Sequence, residues 1–149
     1  MKRFTRLALA ISAFLALASC NSAPSISSPE HVEWAVESMA EYNVEFTKET
    51  TPTLKLFMAK ATGKTGCNNF NGSFSMQGEG IKFPTPTFAV TKKMCPPEVM
   101  EIEEHYLGLL GRVQSWKIAD NNKLLLLDEL GNELLTLSFV RELESTETL

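Results

Sequence analysis

One stretch of this chain keeps a helical period, and it sits among runs that alternate every second residue. In CPPEVMEIEEHYLGLLGRV, residues 95–113, the apolar Val99, Ile102, Tyr106, Leu109, Leu110 and Val113 fall on one helical stripe. Glu101, Glu103, Glu104 and His105 fall mostly elsewhere and read as a solvated face, with His105 a solvated residue. Pro96 and Pro97 suit the helix start, early acids complement its dipole, and Gly108 and Gly111 fit the late helix and its stop. The flanking runs follow strand grammar. HVEWAVESM from His31, TLKLFMA from Thr53, a short run in KATGK, GSFSM from Gly72, IKF, FAVT, SWKIA, KLLLL and ELLTLSF are separated by turn signals such as QGEG, ADNNK and DELGN. A helix cannot bury its stripe alone, and neither can a half-apolar sheet. The pattern therefore predicts an α+β fold: a barrel-like antiparallel β-sheet of about seven to eight strands with one amphipathic helix packed against it.

The first nineteen residues read as export information. Lys2, Arg3 and Arg6 form a cationic segment, and Leu7 to Leu17 an apolar one too short to span a bilayer comfortably. Leu17-Ala18-Ser19-Cys20 resembles the bacterial lipobox, which implies cleavage before Cys20 and lipidation of its thiol. The sequence thus divides into a lipoprotein signal peptide (1–19), a lipid-anchored flexible tether (20–31), a folded domain (32–141) and an acidic tail (142–149). Loss of the signal removes three positive charges and shifts the formal charge from −4 to −7. Such an acidic body is repelled by anionic headgroups, so acyl chains must anchor it. Asn21 after the lipid cysteine favours the outer membrane, with the domain facing the periplasm. The same charge, with no basic run, excludes a nucleic-acid partner.

With Cys20 assigned to lipid, Cys67 and Cys95 remain. An even pair in an exported chain points to a disulfide, worth roughly 3–4 kcal/mol on the chain-entropy estimate. Two free buried thiols are the alternative. Cys67 lies in GCNNFNGSF, residues 66–74, where asparagines and glycines are the residues of tight turns. Asn68, Asn69 and Asn71 form a candidate binding loop, their amides either spent on the turn or offered to a partner. Catalytic motifs are missing from the chain. Thr62 to Gly66 lacks the glycine a phosphate loop needs at position 58, which is Met58. The cysteines lack CxxC spacing and His31 and His105 stand alone, so neither a metal site nor a triad can be built, and no cofactor is expected. Asn71-Gly72-Ser73 is a formal glycosylation sequon and reads as accidental.

Several of these residues together resemble the META domain of HslJ-like bacterial lipoproteins. Gly66, Cys67, Asn68 and Gly72 match its first motif, and Thr91 with Cys95 its second. Tyr106, Leu110 and Val113 match its helix, Trp116 the strand start after it, and Trp34 its leading tryptophan. The sequence departs from the pattern at Lys93, where methionine is usual, and lacks the glycine that follows the leading tryptophan. The resemblance spans about residues 32–141 and implies a small α+β domain without catalytic activity, in a cell-envelope protein tied to stress or antibiotic tolerance. The expected partners are the membrane, through the lipid, and an envelope protein, peptide or glycan. Two alternatives stand beside this: a periplasmic enzyme regulator, such as a hydrolase inhibitor plugging with the Asn-rich loop, or a thiol-disulfide protein using Cys67 and Cys95.

Overall fold

The structure is a computed structural model, and it describes residues 25–144. The signal peptide, Cys20 and residues 145–149 of the tail lie outside the described residues. Among the described residues ten strands and one long helix follow one another: β1 (Val32–Met39), β2 (Thr53–Phe57), β3 (Lys60–Lys64), β4 (Asn69–Ser73), β5 (Ser75–Gln77), β6 (Gly80–Lys82), β7 (Ala89–Val90), α1 (Pro97–Arg112), β8 (Ser115–Ala119), β9 (Lys123–Leu127) and β10 (Glu133–Glu142). The strands form one antiparallel sheet in the order β5-β6-β8-β9-β10-β1-β2-β3-β4-β7, curled into a half-barrel with α1 packed against it.

Alternation sets the register. In β1, Val32, Trp34 and Val36 are buried, and Val32 and Trp34 stand opposite Leu56 and Leu54 of β2. On the other side, Val36 faces Leu137 of β10. Two register shifts in the β1–β10 ladder, at Glu33/Trp34 and Val36/Ser38, add local twist and help the sheet curl. α1 supplies Ile102, Tyr106, Leu109 and Leu110, and Val113 just beyond it, to the same core. The helix starts on Pro96 and Pro97, carries Glu98 in its first turn and Arg112 in its last, as its dipole favours.

The sheet exceeds the expected seven to eight strands, and the departure centres on residues 69–77. Asn69–Ser73, read as part of a turn, is a strand paired on both sides, with β3 and with β7. Phe70 points into the core while Asn69 and Asn71 are exposed, so the segment alternates like any half-buried strand. Turn-forming residue types concealed that alternation. The run GSFSM also divides at Phe74, whose N–H, bonded to the Ala59 carbonyl at 3.1 Å, makes the last link of the β3–β4 pairing. Its first residues end β4 and its last belong to β5.

Four further expectations are corrected. His105 is half-buried, its ring stacked on Tyr42 at 4.7 Å and its Nε2 2.8 Å from the Ala40 carbonyl. Glu103 is buried, not solvated. Residues 25–31, read from composition as tether, carry contacts of the domain: Pro29 is buried and its carbonyl accepts from the Trp34 indole at 2.9 Å. At the other end, β10 runs to Glu142, and the Leu143 N–H bonds the His31 carbonyl, so the tail starts later than 142.

Candidate functional site

The residues singled out by sequence meet at the end of the β3–β4 hairpin. The connection is Thr65 to Asn68, closed by the Thr65 N–H on the Asn68 carbonyl at 2.8 Å. Gly66 sits at φ 122°, in the region that side chains disfavour, and a Cβ there would lie 3.3 Å from the Thr50 carbonyl oxygen and 3.4 Å from Ile102 and Val99 of α1. Cys67 follows and is joined to Cys95 by a disulfide, with the Cα atoms 6.4 Å apart. That bond ties the hairpin end to the chain just ahead of α1.

Asn68 is fully buried and organises the segment 91–96. Its Oδ1 accepts from the Thr91 hydroxyl at 2.9 Å and from the Lys93 N–H at 2.8 Å. Because a backbone N–H can only donate, these bonds fix which end of the amide is oxygen. Its Nδ2 is buried and has no acceptor among the described residues. Thr91 completes the clamp: its N–H donates to the Asn69 carbonyl at 3.0 Å, and its Oγ1 accepts from the Asn69 N–H at 3.0 Å. Thr65 is the link to the helix, its hydroxyl donating to the Glu103 carboxylate and lying 3.1 Å from the Asn68 carbonyl.

The three asparagines therefore divide. Asn68 spends its carbonyl oxygen on the turn, while Asn69 and Asn71 are exposed on the outer face of β4. The clamp also presents a surface. Lys92, Lys93 and Met94 are all exposed, and Met94 is 102% exposed although its neighbours on both sides are pinned. Cys67 and Cys95 are each partly exposed at the foot of this segment.

Thr65, Thr91 and Glu103 were not singled out as site residues. For Glu103 a signal was present: it lies at helical spacing between Val99, Tyr106 and Leu110, on the buried stripe. Thr91 was flagged only as part of the family resemblance. No group of three or more His, Cys, Asp or Glu is placed to hold a metal ion among the described residues. No helix among them is long and apolar enough to cross a membrane.

Two solved structures share this fold. One, titled as an NMR structure of the protein from Burkholderia xenovorans, superposes with a TM-score of 0.60 at 20% identity, covering 85% of this chain and 98% of that one. A second, titled NMR structure of the protein, gives a TM-score of 0.56 at 19% identity and covers 76% of this chain and 95% of that one. No curated protein matches the chain. The META domain family model matches residues 27–140, from just before the buried Pro29 to the last strand, and takes in the whole stapled hairpin and the helix. The chain belongs to the META domain family.

Proposed function

We propose that this protein is a lipid-anchored module of the bacterial cell envelope that acts by binding a partner rather than by catalysis, with segment 91–96 as its contact surface. The observation that carries the reading is Met94, wholly exposed on a segment held by a disulfide and by the buried Asn68. An exposed methionine gains nothing for the fold. On a rigid support it is a preorganised apolar contact, flanked here by Lys92 and Lys93, and preorganisation reduces the entropy lost on binding. A projecting, stapled segment favours a partner with a cleft, so the partner class is an envelope enzyme that the domain regulates. Lipidation at Cys20 holds the domain at the outer membrane facing the periplasm, and stress or antibiotic tolerance is its physiological setting.

A photo-crosslinking residue at position 94 tests the surface in living cells. The expected result is a discrete adduct that disappears when Asn68→Ala loosens the segment. Equal labelling from position 94 and from an exposed position such as Lys117 overturns it. Deletion of the gene is expected to lower survival under heat and hydrophobic antibiotics. Use of Cys67 and Cys95 as a thiol-disulfide couple is the second reading, motivated by their partial exposure. Redox titration separates the two, because a structural disulfide sits below about −300 mV.

A further inference from the structure

Gly108 stands inside α1, four residues before its last residue, Arg112, and no contact among the described residues explains it. A Cβ built there meets no atom within 4 Å, so neither a close approach nor an unusual backbone calls for glycine. Alanine would favour the helix. Gly108 is instead the floor of a cleft of about 440 Å³ between α1 and the chain leaving β1, lined by Tyr42, Glu101, Glu104, His105, Leu109 and Arg112. That volume lies within the range of sites that hold small ligands or side chains.

The lining has one chemical character at its N-terminal end. Glu101 and Glu104 are exposed, and neither has an ion pair among the described residues. His105 stacks on the half-buried Tyr42, and its Nε2 must donate to the Ala40 carbonyl, which leaves Nδ1 of the neutral ring as an acceptor. Two carboxylates, an imidazole acceptor and a phenol ring form a set that suits an organic cation with several N–H donors. The cleft's own cation, Arg112, stands eleven residues from Glu101, roughly 16 Å along the helix, and lies 3.7 Å from Glu41. A span of that length exceeds one side chain and matches about five residues of extended peptide. One end thus carries two unpaired carboxylates and the other an exposed guanidinium that an acidic group of a ligand would share with Glu41, as a peptide with a basic residue ahead of an acidic one would require.

We propose that this cleft binds an extended segment of a partner polypeptide, with a lysine or arginine side chain between Glu101, Glu104 and Tyr42, its backbone over Gly108 and an acidic group toward Arg112. The site shares no residue with segment 91–96, so the two proposals fail independently. Two blocked pentapeptides, acetyl-Gly-Arg-Gly-Gly-Glu-amide and its counterpart with Gln for Arg, are titrated into the lipid-free domain by ¹H–¹⁵N NMR, with spermidine as a third probe. The arginine peptide is expected to shift the Tyr42 and Gly108 amides saturably and to bind about fivefold more tightly than the glutamine peptide. Gly108→Ala is expected to raise the melting temperature while weakening the arginine peptide. Glu104→Gln is expected to weaken it at unchanged melting temperature. Equal affinity for the two peptides, unchanged binding to Gly108→Ala, or binding of spermidine without the peptide each overturn the proposal.

Discussion

Asn68 shows why a residue type chosen for turns can end fully buried in a domain. Its Oδ1 satisfies two donors of segment 91–96, and both depend on that one oxygen. Asn68→Ala is expected to cost about 1–3 kcal/mol in urea denaturation under oxidising conditions, through unpaired groups and lost packing. Thr91→Val removes the hydroxyl that serves both the Asn68 Oδ1 and the Asn69 N–H but leaves the Lys93 bond in place, and is expected to cost about 1–2 kcal/mol. Tyr106 carries a second consequence. The ring is fully buried, its hydroxyl donates to the Thr53 carbonyl at 3.1 Å, and burial pushes its pKa far above the usual phenol range. The folded state therefore holds this proton where the unfolded chain, with a phenol pKa near 10, releases it. Stability from this group is complete below pH about 10 and falls above it by about 1.4 kcal/mol per pH unit. Alkaline denaturation of Tyr106→Phe is expected to lack that part of the slope.

Among the elements, β4 is held by an unusual layer. Phe88 lies stacked on Phe70, their rings 5.4 Å apart and within 1° of parallel, and it covers Gly72 so closely that a Cβ there would meet its ring at 2.0 Å. Gly72→Ala is expected to destabilise by about 1–3 kcal/mol by displacing Phe88. In a double-mutant cycle with Phe88→Ala, the alanine at 72 is expected to add much less to the loss, because its obstacle is gone. Additive losses would show that the ring does not depend on Gly72. This layer also explains what the sequence concealed. The helix was legible because its apolar stripe is long and repeats every three or four residues, β1 and the middle of β10 because they alternate, and β9 because it is a short leucine run between turn signals. β4 alternates too, yet only Phe70 of its five residues is apolar, and its partner strand β7 is two residues long. The candidate site was legible as far as the cysteines and asparagines. Its other half, Thr65 and Glu103, depends on which face of α1 meets the hairpin, a fact fixed by packing across 38 residues rather than by local pattern.

At the scale of the whole molecule, the packed body begins closer to Cys20 than composition indicates. Pro29 and the His31 N–H serve the buried end of the sheet, accepting from Trp34 and donating to the Leu56 carbonyl, and Leu143 closes on His31 from the last strand. Ile26 adds a contact, its N–H on the Asn122 side chain at 3.4 Å. If Cys20 carries the lipid, the first described residue, Ser25, lies five positions further on, a reach of at most about 18 Å. The anchor then holds one end of the sheet close to the bilayer instead of letting the domain roam. The two boundaries make different predictions for lipid-free chains. A chain starting at Ser25 keeps every contact of Pro29 and Ile26 and is expected to melt as the chain starting at Asn21 does. A chain starting at His31 leaves the fully buried Trp34 indole without its acceptor and is expected to lose about 1–3 kcal/mol. If the chains starting at Ser25 and His31 melt alike, residues 25–30 are tether and the domain sits further from its anchor.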